Sequence, residues 1–408
     1  MGETGEVRGV KGRRRAGGRV VDFAAAPPRR PKVVVTGGAG PLGARFVRAL
    51  GARETHDLVV FDLVPPPEAP PDVRHRFLDL NLPHADGTVY KLLEEERPDV
   101  IVHLAQIRSP SRNTTYVHEL NAIGSLHVLS AAGETKVQRL ILGSTTLVYG
   151  ARGDNPNFLT EEHPLRPDPQ DRFVLDFVEA EGHARTHARR HPDAKVTVLR
   201  FAPFMSADVR DYRARTLTAP FAVTLMGYDP LIQALHTDDA VQAILLALDN
   251  PSATGVFNIA PEGVLPISSA RLLFGSLPVP VPHGLAYALY EAAWELGVGL
   301  MPGIHANYLR YLCIADNRKA RRVLGFAPRR TTLDVMLEAA RARRGGSGLL
   351  DFDKLDEIAR VADFHYEFRV KPPGRAVPPE AAPAPAPVRP TRRARKAAAD
   401  ENLTEVAS

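Results

Sequence analysis

Five runs of consecutive apolar residues, separated by helix-like segments, predict an α/β fold built on a doubly wound parallel sheet. A strand covered on both faces is apolar at successive positions rather than alternate ones, and residues 33–35, 58–61, 100–104, 140–142 and 196–199 read this way. Helices are predicted between these runs over 42–50, 88–97, 121–132 and 173–190. Strands alternating with helices imply βαβ units and right-handed crossovers. Beyond about residue 201 the alternation loosens, and a strand-like 255–259 with helical 237–248 and 285–296 predicts a smaller C-terminal α/β domain.

The segment TGGAGPLG follows the first predicted strand and opens the first predicted helix. Its residues are Thr36, Gly37, Gly38, Ala39, Gly40, Pro41, Leu42 and Gly43. Gly37 permits a tight turn, Gly40 lets the backbone approach a pyrophosphate, and Gly43 lets the helix pack on the strand. Phosphates would lie at the helix N-terminus, where unpaired N–H groups and the dipole favour anions. Pro41 suits the first helical turn, which does not need its N–H. About twenty residues on, VVFD closes the second strand at Asp62. A carboxylate there accepts hydrogen bonds from an adenosine ribose and repels a 2′-phosphate, so NAD is expected in preference to NADP. A Gly-rich turn and a solvated Asp are the plainer alternatives for the two features.

The 408 residues include one cysteine, Cys313, which excludes an internal disulfide framework and a Cys-rich zinc site. No apolar run approaches the ~18 residues of a spanning helix. The basic N-terminus has no apolar run behind it, unlike a secretory signal, so a cytoplasmic location is expected. Residues 1–32 hold nine Lys/Arg against three Asp/Glu and residues 371–408 seven against four, so a net charge of +5 becomes −4 for the body between them. The basic clusters Arg13–Arg15 and Arg392–Lys396 lack interleaved aromatics, and no specific nucleic-acid partner is expected. The predicted organisation is a disordered basic tail (1–31), a Rossmann-like nucleotide-binding domain (32–200), a substrate domain with a C-terminal extension and some interleaved segments (201–370), and a disordered Pro/Ala-rich tail (371–408).

These features resemble the extended short-chain dehydrogenase/reductases, in their NAD-dependent nucleotide-sugar epimerase/dehydratase branch, over roughly residues 32–335. TGGAGPLG is similar to that family's TGxxGxxG. FLDL at 77–80 resembles its adenine-side Asp-Leu, which implies that Asp79 and Leu80 lie near an adenine. VIVHLAQ, ending in Leu104, Ala105 and Gln106, resembles the strand beneath the cofactor. NAIGSLHVLSAA from Asn121, GSTTLVYG over 143–150, Leu199–Arg200, HTDDAVQAI from His236, GVFNIA from Gly255 and LGFAPRRTTLDVM from Leu324 complete the match in order. The nearest resemblance is to a UDP-glucose 4-epimerase-like bacterial subgroup, not all of whose members keep the active-site residues.

The resemblance implies a chemistry. A Tyr phenolate takes a hydroxyl proton as hydride passes to NAD, a Lys four residues later lowers the phenol pKa from ~10, and a Ser/Thr holds the reacting oxygen. Thr145 matches the Ser/Thr position. The Tyr and Lys positions read Phe173 and Phe177, and none of the ten tyrosines is followed by Lys at that spacing. Pro203 stands where the family commonly has a substrate-binding Asn. The resemblance also implies a homodimer and a nucleotide-sugar substrate, which the departures at Pro203 and before His236 put in doubt.

Phe173 and Phe177 share one helix face, as core residues or as walls of an apolar pocket. Asp176, Glu179 and His183 on that helix are a solvated face or a substitute base. Tyr149 is a further binding candidate beside Thr145. His103 reads as a structural histidine, Asp238 or Asp239 as a helix cap, and no cluster suggests a metal site. The segment 284–300 reads as an amphipathic helix packed on the domain. Three functions stay open: an NAD-dependent oxidoreductase or epimerase of a nucleotide sugar or related hydroxyl compound with a rearranged site, a non-catalytic NAD-binding sensor or scaffold, and a dehydrogenase of an apolar alcohol.

Overall fold

The computed structural model describes residues 29–206 and 212–344. Along these residues run strands β1 (Lys32–Thr36), β2 (Asp57–Asp62), β3 (Arg74–Phe77), β4 (Val100–His103), β5 (Arg139–Thr145), β6 (Lys195–Phe201), β7 (Phe221–Leu225), β8 (Leu231–Ile232), β9 (Gly255–Ile259), β10 (Leu265–Pro266) and β11 (Leu277–Val281). The helices are α1 (Pro41–Gly51), α2 (Ala85–Glu96), α3 (Thr114–His118), α4 (Gly124–Glu134), α5 (Arg172–Arg190), α6 (Tyr212–Leu217), α7 (Thr237–Asp249), α8 (Ile267–Leu273), α9 (His283–Glu295), α10 (Arg318–Leu324) and α11 (Thr332–Arg344).

Seven strands form one wholly parallel sheet in the order β3-β2-β1-β4-β5-β6-β9. Helices cover both faces, which is why its central strands are apolar at every position. Val33 and Val35 pack with Phe46 and Leu50 of α1 and Ile244 of α7, whereas Val34 faces the other way, toward Val89 and Leu93 of α2 and Val128 of α4. The strand order reverses between β1 and β4, the switch point at whose carboxyl edge ligands bind in such sheets.

The smaller part carries two strand pairs, parallel β7–β11 and antiparallel β8–β10. Its own core joins Met205, Leu217, Ile267 and Leu273 to Val335 and Met336 of α11.

Within the large sheet and its flanking helices, three elements differ from the sequence reading. β3, with the sequence RHRF, carries no apolar run because it is an edge strand, and its Arg74 and Arg76 pair with Glu96 instead. β9, expected in the smaller domain, is the seventh strand of the large sheet, with Phe257 opposite Leu199 and buried in the same core as α7. The helix expected from 121 begins three residues later, after α3 and a π-type turn over Glu119–Ile123. Of the expected tail over 1–31 only residues 29–31 are described, with Arg29 paired to Asp99; the rest of that tail, the expected tail over 371–408 and the extension over 345–370 lie outside the described residues.

Candidate functional site

At the carboxyl edge of β1 the chain turns through Gly37 at φ +73°. A Cβ on Gly37 would stand 2.4 Å from the Ala105 nitrogen, and one on Gly43 would collide with the Gly37 carbonyl oxygen. Gly40 is different. Its nearest neighbour would be 3.4 Å away, so folding alone does not demand glycine there, whereas close approach of a ligand would. Gly40 is extended and caps α1, whose first residue is Pro41.

Asp62 closes β2 and accepts from Ala39 N–H (2.8 Å) and Leu63 N–H (2.7 Å), so it holds the glycine loop while each oxygen keeps a lone pair for a further donor. Beside it is a hollow of about 180 Å³ whose wall includes Asp62, Asp79, Leu80, Leu104 and Ala105. Across the loop lies a second hollow of about 310 Å³, reaching Leu42, Gly43, Thr145, Phe173 and Phe177. Gly37, Gly40, Leu104 and Gln106 wall both hollows, so they form one trough over the loop. Gln106 Nε2 is buried there without a hydrogen-bond partner. An orphaned donor costs about 1–3 kcal/mol unless a ligand satisfies it.

Thr36, Gly38, Ala39 and Asn121 line neither hollow and act behind the wall. The Asn121 side chain accepts from Ile107 N–H (2.8 Å) and donates to Ile107 C=O (2.9 Å), which fixes the loop after β4. Ser125 Oγ donates to the Asn121 carbonyl at 2.5 Å, so it accepts from His103 Nε2–H at 2.9 Å. His103 Nδ1 then accepts from the Thr36 hydroxyl at 2.6 Å. His103 is therefore neutral and structural, and burial pushes its pKa down from 6.5 to about 4. An unfolded histidine titrates near the higher value, so this group's stability contribution is complete above it and is lost as pH falls through that window. The expected loss is about 1.4 kcal/mol per pH unit. Urea unfolding of the wild type and His103→Gln at pH 7, 5.5 and 4.5 checks this: the stability gap between them should narrow as pH falls.

The end of the trough away from Asp62 is aromatic. Phe173 and Phe177 stack edge to face at 5.5 Å, and Phe201, Phe204 and Pro203 extend the wall. Into this wall the loop after β4 inserts Arg108. Its guanidinium donates to Ser144 C=O (3.0 Å) and Gln106 Oε1 (3.3 Å) and lies 5.3–5.7 Å from the centroids of Phe177, Phe201 and Phe204. No described carboxylate lies within ion-pair distance of it, and burial lowers its pKa to about 10. Thr145 lines the cleft, and its Oγ1 accepts from Leu147 N–H at 3.3 Å, which leaves the hydroxyl proton available.

Tyr149 is not part of the cleft. It is fully buried, donates to Asn258 Oδ1 (2.7 Å) and accepts from Arg200 (2.8 Å), and burial raises its phenol to about 12. The charged residues of α5 also face elsewhere: Asp176 meets His118 at 2.8 Å, and Glu179 meets His183 at 3.6 Å. The cap of α7 is His236, whose Nδ1 accepts from Asp238 N–H, while Asp238 pairs with Arg45 and Asp239 accepts from Arg329 N–H.

Sequence reading missed Arg108, Asp171, Tyr212, Arg213 and His305. Tyr212 and Arg213 line the cleft, and His305 stands behind Tyr212. Their only sequence signal is residue type, because chain separation hides the contacts that make them a group.

A model of the "NAD dependent epimerase/dehydratase family" matches residues 33–260. An uncharacterized protein of Mycobacterium tuberculosis (strain ATCC 25618 / H37Rv) is 30% identical over 324 residues, covering 78% of this chain and 85% of that protein. The 4-hydroxy-2-methyl-3-oxo-4-farnesyl-3,4-dihydroquinoline-1-oxide ketoreductase of Stigmatella aurantiaca is 26% identical over 341 residues, covering 77% and 98%. Among solved structures, the UDP-glucose 4-epimerase of Thermus thermophilus in complex with NAD superposes with a TM-score of 0.59 at 20% identity, covering 78% of this chain and 100% of that one.

Proposed function

The chain belongs to the NAD dependent epimerase/dehydratase family, and on that premise we propose that it binds NAD across the glycine loop and uses it on a hydroxyl or carbonyl compound with a largely apolar body. The observation that carries this reading is the continuous trough from Asp62 to Thr145, with an orphaned Gln106 donor at its middle and phenylalanines at one end. NAD, when bound, supplies a nicotinamide ring that accepts or returns hydride. Asp62, Asp79 and Leu80 would hold its adenosine, and the amides at the start of α1 its pyrophosphate. Gln106 and Arg108 would donate to its nicotinamide half. Thr145 orients the substrate oxygen, and the phenylalanine wall excludes water from it.

The aromatic wall favours an apolar body over a sugar nucleotide, in keeping with the ketoreductase relative. The test follows absorbance at 340 nm of protein with NAD and a series of secondary alcohols with growing aryl and alkyl groups, and separately the product composition with UDP-glucose or UDP-galactose, because epimerisation returns the hydride and leaves no net NADH. The proposal expects turnover that rises with apolar size. Turnover of the UDP-sugars alone would restore the epimerase reading, and none at all would leave a non-catalytic NAD sensor, which the mutual packing of Phe173 and Phe177 supports.

One substitution probes the rearrangement. Phe177 is 1% exposed and faces the Arg108 guanidinium. Phe177→Lys would bury a second cation there, and a loss of several kcal/mol is expected. Adding Arg108→Gln should recover part of it. Thermal melts of the single and double variants check both.

A further inference from the structure

We propose that Tyr212 is the proton-transfer residue of the cleft, with His305 and Asp171 behind it and Arg213 beside it. The proposal rests on the reading of the cleft as a site of hydroxyl or carbonyl chemistry. Tyr212 opens α6 and lines the same hollow as Thr145 and Phe173. Its ring stands edge-on to Phe173, centroids 6.4 Å apart. A phenol therefore reaches the wall beside Phe173 from a different helix.

The hydrogen bonds set the direction of transfer. Arg213 Nε can only donate, and it donates to the Tyr212 oxygen at 3.1 Å. The same oxygen lies 2.9 Å from His305 Nδ1. His305 Nε2 lies 3.1 Å from Asp171 Oδ2, at ion-pair distance but off the line of a good hydrogen bond. A carboxylate at Nε2 favours the proton there, so Nδ1 is left as an acceptor for the Tyr212 hydroxyl. Asp171 is itself oriented, because its Oδ1 caps α5 by accepting from Val174 N–H at 3.2 Å. His305 is 1% exposed and Asp171 3%. Among the described residues Tyr308, whose ring is 5.6 Å from that of His305, and Cys313 also face the cluster, and Arg152 and Asp168 line a small hollow with Asp171 and Tyr308. Burial raises the Tyr308 phenol well above 10 and the Cys313 thiol to about 12, so both stay neutral.

In the oxidative direction the Tyr212 O–H bond breaks and its proton passes to His305 Nδ1, giving an imidazolium beside Asp171 and a phenolate beside Arg213. The phenolate then takes the substrate's hydroxyl proton while the carbinol C–H leaves with its electron pair, NAD being the two-electron oxidant. The substrate becomes a ketone or aldehyde, and the imidazolium releases its proton to solvent. Reduction runs the same transfers backward.

The test is tyrosine ¹³Cζ NMR of the full-length, NAD-free protein between pH 5 and 11, with Tyr212→Phe to assign the resonance. A phenol coupled to an imidazole titrates in two steps. We expect a lower step, well below the ordinary ~10, that disappears in His305→Gln. Should His305→Gln fail to fold, Arg213→Gln is expected to raise the upper step by one pH unit or more. A Tyr212 resonance that titrates in a single step near the other tyrosines, unmoved by either variant, would overturn the proposal. In the alcohol series, Tyr212→Phe should lower turnover at least ~100-fold with NAD affinity unchanged, and an unchanged rate would equally overturn it. The NMR result needs neither cofactor nor substrate. Failure of the alcohol series with an intact two-step titration therefore faults the oxidoreductase reading, and the reverse pattern faults Tyr212.

Discussion

Arg200→Met is expected to destabilise the protein by roughly 3–5 kcal/mol, because it strands a buried carboxylate. Arg200 on β6 grips Glu181 on α5 through two nitrogens, at 2.6 and 2.9 Å, with side chains only 4% and 2% exposed. Glu181 also accepts from Ser144 on β5 at 2.6 Å, and Arg200 donates to Tyr149, which donates in turn to Asn258 on β9. One network therefore clamps three strands and a helix directly behind the cleft. Arg200→Lys should not rescue it, since an ammonium cannot reproduce the forked geometry. Arg200→Met combined with Glu181→Leu should recover most of the loss, because removing both charges removes the desolvation penalty. Urea unfolding at pH 7 of the three variants and the wild type is the check.

Gly37→Ala should cost roughly 2–4 kcal/mol, from a left-handed backbone and a collision with the chain at Ala105. Gly40→Ala is the informative contrast. Its Cβ has room in the NAD-free protein, so stability should change by less than about 1 kcal/mol. Affinity for NAD should nevertheless fall by about tenfold or more, the loss of roughly 1.4 kcal/mol. Chemical denaturation and calorimetry on both variants separate the glycine the fold needs from the one the ligand needs.

The large sheet was legible because burial on both faces leaves an unbroken apolar string, as at Val33–Val35. Where one face is open the string disappears, and β3 with its RHRF was invisible. β9 read correctly as a strand but not as part of that sheet, since nothing local to Gly255–Ile259 states which neighbour it pairs with. The glycine loop and Asp62 were legible for a different reason: their spacing is set by local backbone geometry, which sequence distance records directly. Asn121 opens a separate motif, NAIGSLHVLSAA, and its amide serves Ile107 rather than the trough. Counting residues was enough to find that no tyrosine is followed by Lys four places on. It could not find Arg108 among three phenylalanines, or Tyr212 against His305, 93 residues away in the chain. The first grouping exists only once β4, α5 and β6 meet in the large sheet, and the second only once the smaller part folds beside it.

The central claim is that the trough over the glycine loop takes NAD. Calorimetric titration of nucleotide-stripped protein with NAD, and with NADP as control, tests it most directly. Asp62 already accepts two main-chain N–H groups, and a carboxylate holding the ribose would repel a 2′-phosphate. The account predicts one NAD per chain, bound roughly tenfold or more tighter than NADP, with Asp62→Asn narrowing the difference. Binding of neither nucleotide, or a preference for NADP, would contradict it.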